Sequence, residues 1–197
     1  MGQNCIGIER LLVHGSQYDD LWEIFEKRVS KMRVGSVMST GQAGYVSTVE
    51  GGAMLTNERF RGLEKLIKDA AEANAYVIGG EEFKHPYHEQ GYYFSPTVVG
   101  PVDVSMDIAQ QERVSLPDNR CCLFAATDIS FRLLVFAPIA LLMPYETVEE
   151  AIEIANGTRY GLGASVFGPD QDECFKVAKQ LDCGMVSVND FAVFYVS

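Results

Sequence analysis

Cys5 stands in the stretch GQNCIGIER, between Gly2-Gln3-Asn4 and Gly7, with Arg10 shortly after. A cysteine does covalent chemistry as its thiolate, so its pKa must fall or a base must take the proton. Backbone N–H groups around a glycine-rich turn could supply a positive field and an oxyanion site. The local spacing leaves two readings open: a nucleophile, or an inert cysteine packed as a small apolar side chain. The other four cysteines point away from chemistry. Cys174 shares a helical stripe with Val177, Ala178 and Leu181 and reads as core. Cys183 precedes a helix-ending glycine and reads as structural. Cys121 and Cys122 are adjacent, cannot easily face one metal, and have no second pair at zinc-ligand spacing.

The remaining candidates are weaker. His85 and His88 in HPYH approach metal-ligand spacing, but Pro86 and Tyr87 suggest a surface turn and no third ligand completes a set, so no metal site is expected. His14 ends a strand. YGLGASVFG is not a dinucleotide fingerprint, because that motif follows a strand and opens a helix, whereas here a helix precedes and a strand follows. GQAG lacks the Gly-Lys-Ser/Thr ending of a phosphate-binding loop. The pairs Glu81-Glu82 and Glu149-Glu150 read as solvated faces.

The elements that must position these residues alternate in type. RLLVHG reads as a strand, and YDDLWEIFEKRVSKM as a helix with Leu21, Ile24, Phe25, Val29 and Met32 on its inner stripe and Asp19-Asp20 at its start. VGSVMSTGQAG is turn-rich. TNERFRGLEKLIKDAAEANA repeats the helix signal, with Asn57 as the expected N-cap and Phe60, Leu63, Ile67 and Ala70 facing inward. YVIGG and YYFSPTVVG read as strands, and IALLM as a strand buried on both faces. TVEEAIEIANG opens with a capping box from Thr147 to Glu150 and stops at Asn156-Gly157. GASVF and GMVSVN are strands around the helix DQDECFKVAKQLDCG. Such alternation predicts an α/β fold, a largely parallel sheet flanked by helices. The stretch from Arg113 to Val135 breaks the pattern and shows no clear period.

Composition narrows the class. The chain has 197 residues, 47% hydrophobic and 22% charged, the profile of a globular domain with one sizeable core. Its net charge of −11 argues against nucleic acid as a partner, since phosphate binding needs a basic face. No apolar run approaches the about 18 residues of a membrane span. The first residues lack the charged start and apolar core of a secretory signal. Five cysteines without framework spacing fit a reducing compartment, here the cytoplasm.

Motif order carries the reading further. GQNCIGIER resembles the catalytic-cysteine signature of the aldehyde dehydrogenase superfamily, Gly-Gln-x-Cys followed by a small residue and an arginine. YYFSPTVV is similar to that family's Tyr-x-x-Pro-Thr strand, IANGTRYGLGASVF to its Asn-x-x-x-Tyr-Gly-Leu segment, and GMVSVND to its Gly-x-Val-x-Val-Asn strand. The motifs come in the family's order and cover nearly everything outside residues 113–135. The long form GQNCIGIER resembles a eukaryotic, fungal branch most.

The resemblance implies covalent catalysis. Cys5 would attack an aldehyde carbon to give a thiohemiacetal, hydride would pass to NAD or NADP, and a glutamate would activate the water that releases the carboxylic acid. It also implies that the cofactor domain, the oxyanion asparagine and that glutamate precede the cysteine, so that residues 1–197 correspond to a partial catalytic domain, expected to be inactive alone. The family works as an oligomer, so a homo-oligomer is implied. The family's Glu-x-Phe-Gly-Pro motif binds the nicotinamide ribose and packs beside its ring. Here Glu112 and Phe136 resemble its two halves, with Ala137 where glycine is usual. Joining Glu112 almost directly to Phe136 restores the motif, so residues 113–135 resemble an insertion, either a translated intron or a surface loop that closure entropy tolerates. Two further functions compete: a non-catalytic fragment acting through subunit association, and a thiol redox protein using Cys5, which lacks a resolving cysteine at Cys-x-x-Cys spacing.

Overall fold

The computed structural model describes residues 2–4, 7–36, 49–85, 91–110 and 137–191. Its centre is a four-stranded sheet of β1 (Arg10–His14), β6 (Ile139–Tyr145), β5 (Thr97–Gly100) and β2 (Tyr76–Ile78), in that spatial order. The β1–β6 and β5–β6 pairs are parallel, and β2 joins antiparallel at the edge. Strand β6 is the continuous apolar run, and its central place explains its composition: Leu142 is 0% exposed. Alternation along β6 serves two layers. Ile139, Leu141 and Met143 pack with Phe60, Leu63, Ile67 and Ala70 of α2 (Phe60–Glu72), while α1 (Gly15–Val29) packs on β5 and β6. Each such apolar side chain contributes about 1.5–3 kcal/mol when fully buried. Phe60 meets Phe94 edge to face at 5.2 Å, tying α2 to the short strand β4 (Tyr93–Phe94), which pairs antiparallel with β3 (Glu82–Phe83).

The one-turn helix α3 (Asp107–Gln110) lies beside α2, and α4 (Val148–Asn156) packs on β6; β7 (Gly163–Val166), α5 (Gln171–Ala178) and β8 (Met185–Val188) then form a second, smaller unit. Strands β7 and β8 pair in parallel as a sheet of their own, with α5 packed on both. The α/β class stands: the sheets are mixed, with parallel pairs in the majority.

Several local expectations need correction. Helix α1 begins at Gly15, ahead of the expected start, because His14 Nδ1 accepts from the Ser16 N–H at 3.2 Å and caps it. Asp19 and Asp20 therefore fall beyond the first turn. The α1 stripe is only half covered, and Ile24 is 49% exposed. Asn57 does not cap α2 with its side chain. The N-cap is Arg59, without a side-chain bond, and Asn57 gives only its carbonyl, to the Phe60 N–H at 3.0 Å. YYFSPTVVG is two strands, since Pro96 has no N–H for a ladder and Ser95 turns its own N–H to the Glu81 carbonyl at 2.9 Å. The Thr147 cap forms, its hydroxyl accepting from the Glu150 N–H at 3.2 Å, but the Glu150 carboxylate reaches back to the Glu146 N–H at 2.7 Å, one residue before the N-cap.

Candidate active site

The residues just before Cys5 are docked from both sides. Gly2 has φ +73° and lies so close to the carbonyl of Ala137 and the nitrogen of Pro138 that no Cβ fits. Gln3 reaches the other way, its side-chain carbonyl accepting from the Leu55 N–H at 2.9 Å. The Asn4 carbonyl accepts from the Gly7 N–H at 2.8 Å, closing a tight bend, and beyond it the Glu9 carbonyl accepts from the Leu141 N–H at 2.7 Å and leads into β1. Loop and strand thus hang on the start of β6. Cys5 itself lies outside the described residues, and so do Glu112, Phe136 and the expected insertion at 113–135. What the structure brings together is their neighbours: the residue group before Cys5 touches Ala137 and Pro138, which directly follow Phe136.

Two cations flank this arrangement. Arg10 donates from Nη2 to the Ile154 carbonyl at 2.6 Å, and burial weakens its hold on its proton. Burial does the same to Arg59, and the charge of Glu9 works against it. The sequence motif contained Gly2, Gln3 and Arg10, but nothing in spacing alone gives the partners Ala137, Leu55 and Ile154. Leu55 stands 80% exposed beside the Gln3 tether, and an isolated apolar side chain in a turn carries no periodic signal.

The remaining candidates settle plainly. Cys174 is 6% exposed and packs in the smaller unit, as its stripe predicts. Cys183 is half-buried, and burial followed by Asp182 pushes its thiol up, away from nucleophilic use. His14 caps α1 and meets Tyr145 edge to face at 5.5 Å. His85 lies among Phe83 and Tyr93, while His88, Cys121 and Cys122 lie outside the described residues. Among the described residues no group of three or more His, Cys, Asp or Glu side chains is placed to hold a metal ion, and no helix is long and apolar enough to cross a membrane.

Two clefts measure about 260 Å³, beside Asp69 and Met106, and about 350 Å³, beside Arg33 and Phe83; neither is lined by Gly2, Gln3 or Ala137. Both ends of the Asn156 amide and the Gly161 carbonyl bond within the domain, to residues 180–184.

Comparison with known proteins places this geometry. The profile of the Aldehyde dehydrogenase family matches residues 1–114 and 129–197. An aldehyde dehydrogenase-like protein of Saccharomyces cerevisiae is 40% identical over 99% of this chain and 27% of its own length. One from Schizosaccharomyces pombe is also 40% identical, over 99% of this chain and 32% of its own. A crystal structure of betaine aldehyde dehydrogenase from Staphylococcus aureus in complex with NAD+ superposes with a TM-score of 0.75 at 29% identity, covering 96% of this chain and 32% of that one. The chain therefore spans about a third of the length of the relatives it matches.

Proposed function

Because the chain belongs to the aldehyde dehydrogenase family, we propose that it is the nucleophile-bearing part of an enzyme oxidising an aldehyde to a carboxylic acid with NAD or NADP. Cys5 is the nucleophile, and Glu112 and Phe136 are the cofactor contacts. One observation carries this reading: Gly2 is pressed onto Ala137 and Pro138, so the thiol loop and the residues following Phe136 are held against each other although they lie far apart in sequence. The step that this chain's own residues carry is addition. The Cys5 sulfur forms a bond to the aldehyde carbon, the carbonyl π electrons move to oxygen, and a proton taken up there gives the thiohemiacetal. Turnover belongs to an assembly with a cofactor domain, and the chain by itself is inactive. Residues 113–135 are an insertion in the cofactor contact, a reading supported by the gap in the family match at 115–128. The assembly is a homo-oligomer, and the unpaired thiols of Cys174 and Cys183 suit a cytoplasmic location.

A second reading, a non-catalytic member acting through subunit association, draws on the half-covered face where Ile24 and Tyr76 are exposed and Trp22 stacks near Tyr76 at 6.1 Å. Thiol titration separates the two. On the catalytic reading Cys5 alkylates below the pH expected of an ordinary cysteine, whose pKa is about 8.5, and a saturating simple aldehyde protects it. Cys5→Ala abolishes that fast phase. Ordinary reactivity without protection would sink the catalytic reading. Cysteine-dependent NADH or NADPH production by the purified chain would instead overturn its proposed dependence on an assembly.

A further inference from the structure

The Asn156 segment, which thiol addition leaves unused, points to a conformational device. We propose that β7–α5–β8 opens from the rest of the domain as one unit and that Asn156 is its latch. Among the described residues the two strands form a sheet of their own and pair with no strand of the four-stranded sheet. The main core ends, in chain order, at the partly buried Ile154. Within the described residues 157–191 only Cys174 is buried, whereas Leu162, Phe167, Phe175 and Phe191 are exposed, Phe167 at 64%. Little apolar burial therefore opposes separation, and segments with few buried contacts open at low free energy.

What holds the unit is polar and local. Asn156 Nδ2 donates to the Gln180 carbonyl at 2.8 Å, and its Oδ1 accepts from the Asp182 N–H at 2.9 Å. Both ends of the amide are spent on the α5–β8 turn. Gly161 adds a carbonyl that accepts from the Gly184 N–H at 2.7 Å, and its Cα lies so close to the Asp182 carbonyl that a Cβ has no room. On its other side the same last turn of α4 is anchored to β1 by Arg10, through the Ile154 carbonyl. The turn is fixed to the main sheet and grips the small unit, so releasing the grip frees the unit while α4 stays in place.

The inference is independent of the reaction assigned to Cys5, and its test reads no activity. Hydrogen exchange on the full chain follows the Asp182 and Gly184 amides, which bond to Asn156 and Gly161 across the latch, beside the Leu141 and Val102 amides, which bond to Glu9 and Leu142. In the unmodified chain the first pair exchanges at least about tenfold faster, with a smaller denaturant dependence than the second. Asn156→Leu speeds Gly184, whose own bond to Gly161 the substitution leaves in place, by a further factor of about ten and leaves the second pair unchanged, and Asn156→Asp, which keeps the acceptor and loses the donor, falls between them. Equal protection and equal denaturant slopes for the two pairs in the unmodified chain would overturn the proposal even if Asn156→Leu failed to fold. So would a variant in which both pairs speed up together.

Discussion

Two residues show how much one position can carry. Gly2 sits at φ +73° against the Ala137–Pro138 backbone. An alanine there pays the left-handed penalty of about 1–2 kcal/mol and has nowhere to put its methyl group. Gly2→Ala is expected to lower stability by at least that amount in urea titration and to slow Cys5 alkylation; an unchanged midpoint with an unchanged rate would show the loop is not docked as described. Tyr18 is the second case. Its hydroxyl lies against Gly100 with no hydrogen-bond partner among the described residues, and burial, followed by the charge of Asp19, pushes its pKa up to about 12. Below the ordinary tyrosine pKa of about 10 both states are neutral; between that pH and about 12 the unfolded chain releases the proton and the native one does not, so stability falls as pH rises. Tyr18→Phe should flatten that decline and cost nothing at neutral pH, because it removes an unpartnered buried hydroxyl. Denaturation at pH 9 and pH 11 reads both, and parallel curves for the two proteins at both pH values would count against it. Neither feature was legible from the sequence: Gly2 could be read as part of a motif, but the backbone that crowds it comes from residues far along the chain.

At the scale of elements, legibility followed how local the cause is. The α2 stripe, the buried β6 and the Thr147 cap were readable because periodicity, an unbroken apolar run and a side-chain cap act within a few residues. The break at Ser95-Pro96, the antiparallel edge strand β2 and the half-covered face of α1 depend on partners elsewhere, and the sequence signal at those places is ambiguous. The caps make a graded test. Asp170 accepts from the N–H groups of Asp172 and Glu173 at 2.9 and 3.1 Å, while Thr147 serves one N–H at 3.2 Å. Each cap removed costs about 1 kcal/mol. Asp170→Ala should therefore act first on the β7–α5–β8 unit, raising exchange at Asn189 before any change in the global urea midpoint, whereas Thr147→Ala shifts the midpoint itself. A reversed pattern would mean that the two helices belong to one cooperative block.

For the whole molecule the decisive question is what residues 115–128 contribute, because the family match lapses there while holding on both sides. Strands β5 and β6 are neighbours in parallel, so the chain between Gly100 and Ile139 is a crossover. A crossover needs about a dozen residues, and the connection exceeds that with 115–128 removed. The described cluster around α2, β5 and β6 is built from residues on either side of the segment. Shortening a loop also reduces the entropy of closing it, by about 0.6 kcal/mol for each halving of length. A chain lacking 115–128 should therefore fold to the same sheet and melt no lower than the parent, followed by circular dichroism and by exchange at Val102 and Leu141. If the segment interrupts the cofactor contact between Glu112 and Phe136, its removal should also strengthen the binding of NAD or NADP to the family assembly containing this chain. A deleted chain that melts well below the parent would make the segment part of the fold and refute the insertion reading. One that folds equally well without any gain in cofactor binding would keep it an insertion but detach it from the cofactor contact.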